Sequence, residues 1–231
     1  NIYKPLPDCQ ISNLAEIYLN EFSGSTNGVF VEIGAFDGQT VSNTCFLADL
    51  GWKGYYFEPV QEYALSCAVR HINNNVKVFP CGVSKNGAPI TISVGGVLSS
   101  ARNDHIEEFN KINWAKGYHN GNIRTVPSVK AHEISTFLPK QIELLVIDVE
   151  GMEPEIIDAW DFESCAPKLL IIETRDKAEN FSQRIRKEYS AALDKLAKDN
   201  YSIIQHDGCN VILRHQSNKV REPKRINQIT F

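Results

Sequence analysis

The sequence is short of three things: positive charge, long apolar runs and closely spaced cysteines. Its 231 residues carry a net charge of −4 at pH 7, which gives no general attraction to nucleic acid, so we expect no nucleic-acid partner. No apolar run reaches the roughly 20 residues that a membrane-spanning helix needs, and residues 1–5 lack the layout of a signal peptide. We therefore expect a soluble protein with no membrane partner.

The six cysteines are widely separated, without a C-x-x-C pair or the paired histidines of a zinc site. This spacing is typical of small buried side chains in a reducing compartment, so we expect a cytoplasmic protein. The composition, 42% hydrophobic and 23% charged, is typical of a globular protein. We expect one domain over 1–231, with an N-terminal helical segment (1–28) and an inserted substrate lid (98–124). We interpret the basic residues near the C-terminus as a solvated extension: Lys219, Arg221, Lys224 and Arg225.

The first glycine-containing loop is the most informative part of the chain. An apolar run over 29–33 predicts a buried parallel strand, and Gly34 and Gly38 then allow a tight turn and close approach to a ligand. The pattern is E-x-G-x-x-x-G, not the G-x-G-x-x-G that seats a pyrophosphate on a helix N-terminus. Glu32 and Asp37 would repel a diphosphate but suit the cationic aminoacyl end of S-adenosylmethionine. The alternative is an ordinary strand, turn and helix with glycines placed for packing.

Glu58 ends the next apolar run and supplies a second signal. A carboxylate at the end of the second strand of a βαβ unit can accept hydrogen bonds from both hydroxyls of a ribose. Together, the loop and Glu58 predict a site for a nucleoside-containing cofactor.

The order of apolar patterns predicts an α/β fold. Continuous apolar runs alternate with amphipathic segments, and a final pair of runs joined through Asp207 and Gly208 predicts an antiparallel hairpin at the edge of a mostly parallel sheet. Strands are predicted at 29–33, 55–58, 76–79, 90–94, 125–129, 144–147, 169–172, 201–205 and 211–213, and helices at 11–22, 40–50 and 181–196.

Three acids follow the later strands. Asp148 and Glu150 come directly after the run at 144–147, and Glu173 ends the run at 169–172. The carboxyl ends of parallel strands meet at one edge of a sheet, so either Asp148 or Glu150 could accept a proton from a substrate hydroxyl or hold it in line for methyl transfer. No Asp-Pro-Pro-Tyr, the usual signature of amino-group methylation, follows this strand, which favours transfer to oxygen. Glu153 and Glu155 are interpreted as favourable charges at a helix start.

Two further chemistries stay open at this stage. The three acids Asp148, Glu150 and Glu173 could hold a divalent cation, although we do not favour a metal site. Among the histidines of the lid region, His119 lies between two glycines and is a candidate general base, with a solvated loop histidine as the alternative.

Three motifs resemble the FkbM family of S-adenosylmethionine-dependent methyltransferases. They are Phe30 to Gly38, Ser42-Asn43-Thr44 leading to Phe57-Glu58-Pro59, and Ile147-Asp148-Val149-Glu150-Gly151. The resemblance covers roughly residues 14–214. One departure is Val146, where the family commonly has a lysine.

The resemblance implies a Rossmann-like class I methyltransferase fold with a seven-stranded sheet. It implies that the cofactor S-adenosylmethionine is bound by the first loop, with Glu58 on the ribose and the turn at 82–84 near the adenine. The cofactor-binding residues are then Glu32, Gly34, Ala35, Phe36, Asp37, Gly38, Ser42, Asn43, Glu58, Pro59, Gly82, Val83, Ser84 and Asp148.

The family commonly methylates hydroxyls, so the expected acceptor is a small molecule or glycan, first of all a deoxyhexose such as rhamnose or fucose, free or nucleotide-linked. Polar residues of the lid suit a polyhydroxylated ligand. The alternatives are a polyketide, lipid or peptide hydroxyl, or a catalytically silent module that binds S-adenosylmethionine.

Overall fold

The structure is a computed structural model that describes residues 1–217. The basic residues interpreted as a solvated extension lie outside the described residues. Eleven strands and seven helices are present in the described part. The strands are β1 Val29–Ile33, β2 Lys53–Phe57, β3 Val76–Phe79, β4 Gly82–Ser84, β5 Ile90–Ser93, β6 Ile123–Val126, β7 Ser128–Lys130, β8 Leu144–Ile147, β9 Leu169–Glu173, β10 Tyr201–His206 and β11 Asn210–His215. The helices are α1 Leu14–Phe22, α2 Cys45–Asp49, α3 Gln61–Arg70, α4 Asn103–Phe109, α5 Ala131–Phe137, α6 Glu153–Ala159 and α7 Gln183–Lys198.

Seven strands form the central sheet in the order β10-β11-β9-β8-β1-β2-β3. Every pairing from β9 to β3 is parallel, and only β11 runs antiparallel to its neighbours. This confirms the predicted α/β fold, a mostly parallel seven-stranded sheet with an antiparallel edge hairpin. The chain builds outward from β1 to β3 and then returns to the other side of β1, so the strand order reverses between β1 and β8. In such sheets ligands bind beyond the carboxyl ends of the strands at this point.

Helices cover both faces of the sheet because alternate residues of the buried strands point to opposite sides. On one face Val31, Ile33 and Leu145 pack with α5, α6 and α7, and on the other Phe30 and Tyr56 pack with α1 and α2. A third cluster joins the lid region to α7 and contains Leu98, Phe109, Ala115, Phe181, Ile185 and Tyr189. The lid region is therefore anchored to the first turns of α7.

Two predicted elements differ from the structure. The helix predicted from Thr40 begins only at Cys45, because the preceding residues form a turn in which Val41 has a φ of 51° and the Ser42 hydroxyl accepts from the Cys45 amide. The run predicted as one strand over 125–129 is divided at Pro127 into β6 and β7, which pair with β5 and β4 in two small sheets. Proline has no N–H to continue a ladder, which explains the division.

The N-terminal segment closes over the sheet and contacts distant parts of the chain. Asn13 and Gln205 exchange two amide hydrogen bonds of 2.8 and 3.0 Å, and the Gln10 amide donates to Asp148 at 3.1 Å. Among the described residues, no helix combines the length and apolar character needed to cross a bilayer. All six cysteines are free.

Candidate active site

The loop after β1 is held between the ends of β2 and β8. Gly34 has a φ of +92°, and its amide donates to the Phe57 carbonyl at 2.9 Å. A Cβ atom at this position would lie 1.7 Å from the backbone oxygen of Asp148. Only glycine fits here, because both the backbone conformation and the contact with the end of β8 exclude a side chain.

Glu58 ties this loop to the end of β2. Its two carboxylate oxygens accept hydrogen bonds from the amides of Phe36 at 2.9 Å and Val60 at 2.8 Å. Burial raises the pKa of Glu58 to about 7, although these two hydrogen bonds oppose the shift. Each oxygen keeps a second lone pair, so the carboxylate can still accept from a ligand hydroxyl.

Three cavities adjoin one another at the carboxyl edge of the sheet. The inner cavity is a cleft that opens to solvent. Its lining includes Gly34, Phe36, Phe57, Glu58, Pro59, Gly82, Val83, Ile90, Ile92, Asp148, Glu150 and Met152. This combination of apolar walls with one carboxylate at the end of β2 suits a flat apolar ring joined to a ribose.

The middle cavity lies on the other side of Gly34 and carries more polar groups. Its lining includes Gln10, Glu32, Ala35, Ser42, Asn43, Trp114, Asp148, Glu150 and Glu173. Burial raises the pKa of Glu32 to about 7, and the hydroxyl of Thr44, which donates to Glu32, opposes the shift. Burial, with Glu173, also raises the pKa of Asp148 well above its usual value. In their ionised forms, which a bound cation would favour, Glu32 and Asp148 would attract a cationic group.

Glu150 lines all three cavities, the outer one included. It has a φ of 53°, a strained conformation for a residue with a side chain, and its carbonyl accepts from the Ser100 hydroxyl at 2.7 Å. The Arg175 guanidinium donates from Nη2 to Oε2 of both Glu150 and Glu173 at 2.8 Å. Burial raises the pKa of Glu150 well above its usual value, Glu173 raises it further, and Arg175 opposes both. Such a carboxyl is a stronger base than an exposed one, and the guanidinium keeps it oriented.

The sequence matches a known family of methyltransferases. The model of the methyltransferase FkbM domain matches residues 32–203, about three quarters of the chain. The chain belongs to the FkbM methyltransferase family. Membership confirms the predicted family, the methyltransferase class and S-adenosylmethionine as the cofactor.

Several solved methyltransferase structures are similar to most of this chain. An O-methyltransferase from Bacillus cereus in complex with SAH shares 14% identity at a TM-score of 0.49, with 90% of this chain and 83% of that chain covered. The O-methyltransferase TomG from Streptomyces achromogenes shares 13% identity at a TM-score of 0.48, with 90% and 82% covered. A fibrillarin from Aeropyrum pernix with bound S-adenosylmethionine shares 10% identity at a TM-score of 0.46, with 86% and 73% covered. No curated protein matches the sequence. At these TM-scores the overlaps carry no functional conclusion.

The residues of the FkbM domain fit its cofactor. The inner cavity would take the adenosine part, with Glu58 beside the ribose and Gly82 and Val83 along the adenine side. Glu32 and Asp148 in the middle cavity would face the positively charged aminoacyl end and sulfonium. Gly34 lines both cavities and so lies where they meet.

Four residues predicted for the site do not line any of these three cavities: Asp37, Gly38, Ser84 and His119. The Asp37 carboxylate accepts from the amides of Gln39 and Thr40 and thus shapes its own turn. Ser84 exchanges a hydrogen bond with Ser128 at 2.7 Å. Gly38 packs instead against α3, where its carbonyl oxygen lies 2.9 Å from His71 Nε2.

His119 lies further into the lid region. Its Nδ1 is 3.0 Å from the Ser93 hydroxyl, and its ring stacks on Phe109 at 6.1 Å between centroids. Burial lowers its pKa, which favours the neutral ring. These contacts give His119 a packing role between β5 and the lid.

The structure adds three residues to the site that the sequence analysis did not assign to it. Arg175 pairs with the two glutamates, and Gln10 holds Asp148 from the N-terminal segment. Glu153, interpreted as a charge for the helix dipole, accepts from the amides of Val149 and Gly151 at 2.8 and 2.9 Å and so holds the loop that carries Glu150. A sequence signal existed only for Arg175, which follows the buried run of β9 by two residues.

The acids Asp148, Glu150 and Glu173 do come together as predicted. One carboxylate oxygen of each lies within 4.8 Å of the others, a spacing that a divalent cation could bridge. Arg175 already supplies a positive charge to two of the three, so we assign the cluster to hydrogen bonding and not to a metal.

Proposed function

We propose that this FkbM domain is an O-methyltransferase that transfers the methyl group of S-adenosylmethionine to a hydroxyl of a sugar, in the first place a deoxyhexose. The observation that carries the proposal is the position of Glu150. Its carboxylate stands where the cofactor cavities meet the outer cavity, and no hydrogen bond within the described residues engages its Oε1. A base at this junction can reach an acceptor hydroxyl that lies beside the methyl donor.

Methyl transfer to a hydroxyl has two requirements that the protein must meet. S-adenosylmethionine supplies an activated methyl group with a neutral thioether as leaving group, so the remaining barrier lies in alignment and in removing the hydroxyl proton. In its ionised form, which Arg175 favours, Glu150 would accept that proton at Oε1 as the methyl group passes to the hydroxyl oxygen. Arg175 and the Ser100 hydroxyl hold Glu150 in place, and Asp148, held by Gln10, orients the acceptor.

Binding and turnover test the proposal separately. Titration calorimetry should give micromolar affinity for S-adenosylmethionine and none for NAD, with or without magnesium. Glu58→Gln should weaken cofactor binding about 10-fold through the lost ribose contacts, whereas the control Glu107→Gln, an exposed acid of the lid, should not.

Glu150→Gln should keep the affinity for S-adenosylmethionine and lower kcat for methyl transfer to sugars by about 100-fold or more. Unchanged kcat in Glu150→Gln would show that another group is the base. Cofactor binding without transfer to any tested hydroxyl would favour a silent binding module, and transfer to apolar alcohols alone would favour a polyketide or lipid acceptor.

A further inference from the structure

The outer cavity adjoins the middle cavity on the side away from the adenosine part of the site. Its lining includes Phe109, Trp114, Glu150, Glu173, Arg175 and Phe181. Three of these residues, Trp114, Glu150 and Glu173, also line the middle cavity. A molecule in the outer cavity would therefore lie next to the proposed base and beside the space where the methyl group is delivered.

Trp114 stands at the rim of the outer and middle cavities with its indole in solvent. Its exposure is 66%, whereas the other tryptophans, Trp52 and Trp160, are 0% and 3% exposed. The following residue, Ala115, is fully buried in the cluster that joins the lid to α7, so the backbone that carries the indole is anchored. An exposed indole on a fixed support at a cavity rim offers a flat apolar face to a ligand.

The lining of the outer cavity also has a polar part, with two carboxyl groups and one guanidinium. Glu150 and Glu173 supply the carboxyl groups, Asp148 lies within the same acid cluster, and Arg175 supplies one positive charge. The guanidinium carbon of Arg175 lies 5.7 and 5.3 Å from the ring centroids of Phe109 and Phe181, and its Nη2 donates to both glutamates. Held in this way, Arg175 is not free to turn toward an anionic ligand.

A ligand for this cavity needs one apolar face, several hydroxyl donors and no negative charge. A neutral pyranose ring has these properties, because its axial C–H groups form an apolar face while its hydroxyls project from the edge and can donate to carboxylates. A uronic acid or sugar phosphate would meet the two glutamates, and Arg175, the one cationic residue that lines this cavity in the described part of the chain, already donates to both.

We propose that the outer cavity is the acceptor subsite and binds a neutral pyranose ring that stacks on Trp114 and donates hydroxyl hydrogen bonds to Glu150 and Glu173. This inference rests on the proposed sugar methylation and adds the specificity-determining residue and the charge selection. Trp114 binds the acceptor and takes no part in proton transfer.

Tryptophan emission reports on this subsite directly because Trp114 is the one exposed tryptophan of the three. Neutral methyl glycosides, the methyl rhamnoside, fucoside and glucoside, are titrated into the full chain with and without saturating S-adenosylmethionine. We expect at least one of them to change the emission in a saturable manner, and the methyl glucuronide to leave it unchanged. Trp114→Ala should remove the signal.

Kinetics with the best glycoside supply a second readout. Trp114→Ala should raise the acceptor KM about 10-fold with little change in kcat, while Trp114→Phe should recover most of the affinity. Tyr118→Ala is the matched control, since Tyr118 is an exposed lid aromatic at 42% that does not line the outer cavity. Acceptor KM is measured at saturating S-adenosylmethionine, since Trp114 also lines the middle cavity, and the calorimetric affinity for S-adenosylmethionine should be unchanged in Tyr118→Ala.

Several results would overturn the proposal while leaving the methyltransferase assignment intact. These are cofactor binding with no emission response to any neutral glycoside, equal binding of the glucuronide, or an unchanged acceptor KM in Trp114→Ala. An emission response to an apolar alcohol such as octanol but to no glycoside would also overturn it. Failure to bind S-adenosylmethionine would instead remove the proposed function itself.

Discussion

Glu32 should make the folded protein less stable as the pH rises through neutrality. Its side chain is 4% exposed, and its pKa lies at about 7 compared with a usual value of 4.5. Between these two values the unfolded chain releases the proton while the folded chain keeps it, so the free energy of unfolding falls with rising pH. The contribution of protonated Glu32 to the free energy of unfolding is fully present below pH 4.5 and is lost above about pH 7.

The size of the effect follows from the pKa change. Each pKa unit corresponds to about 1.4 kcal/mol, so the full loss is about 3 kcal/mol, of which about 2.5 kcal/mol falls between about pH 5 and about pH 8. Glu32→Gln keeps the shape and can still accept from Thr44, but it does not ionise. The stability of Glu32→Gln relative to the parent protein should therefore rise by about 2.5 kcal/mol from the lower to the higher pH.

Urea denaturation at the two pH values measures this difference, and all groups common to both proteins cancel. Glu107→Gln, which removes an exposed carboxylate, is the control and should show no comparable change. If the free-energy difference between Glu32→Gln and the parent were the same at both pH values, Glu32 would not be held neutral by burial and the reasoning would be wrong.

Three further predictions concern stability. Gly34→Ala should lower the free energy of unfolding, measured by urea denaturation, by several kcal/mol, because its Cβ would meet a backbone oxygen at 1.7 Å. Gly51 has a φ of +97° but open space around it, so Gly51→Ala should lower it by only about 1–2 kcal/mol. Tyr189→Phe removes a 2.6 Å hydrogen bond to buried Glu153 and should cost about 1–3 kcal/mol by the same assay; no loss would show that the bond is not formed in solution. Burial lowers the pKa of His105 to about 3, so the stability contributed by its neutral form is fully present above pH 6.5 and is lost as the pH falls toward 3. In His105→Leu the free energy of unfolding should therefore fall less steeply between pH 6.5 and pH 3 than in the parent protein. An identical fall in both proteins would contradict the assignment.

The parts of the site that could be predicted from sequence are those held by local backbone requirements. Gly34 and Glu58 each follow a buried run, and the carboxyl ends of parallel strands meet, so their place at the cavity follows from strand order. Gln10 is different, because nothing near it in sequence indicates that the N-terminal segment returns to Asp148. The start of α2 could not be predicted either, because it depends on a side-chain hydrogen bond within a turn, and the spacing of apolar residues does not indicate such a bond.

In the lid, too, the sequence pattern does not show which residues are buried. The apolar residues Ile106, Phe109, Ile112 and Trp114 form only a weak helical pattern. This pattern alone does not show that Phe109 is buried against α7 while Trp114 is exposed to solvent. The exposure of each side chain depends on how the lid packs against α7, and the spacing of residues in the sequence does not determine this packing.

The contacts of the N-terminal segment have a consequence for synthesis on the ribosome. Asn13 pairs with Gln205 across 192 residues, and Gln10 reaches Asp148 across 138. The N-terminal segment must therefore wait for partners that are made much later, and such distant contacts slow folding. Cys209, which joins β10 to β11, also lines the middle cavity, so we expect this cavity to be complete only when the edge hairpin has been made and has joined the sheet.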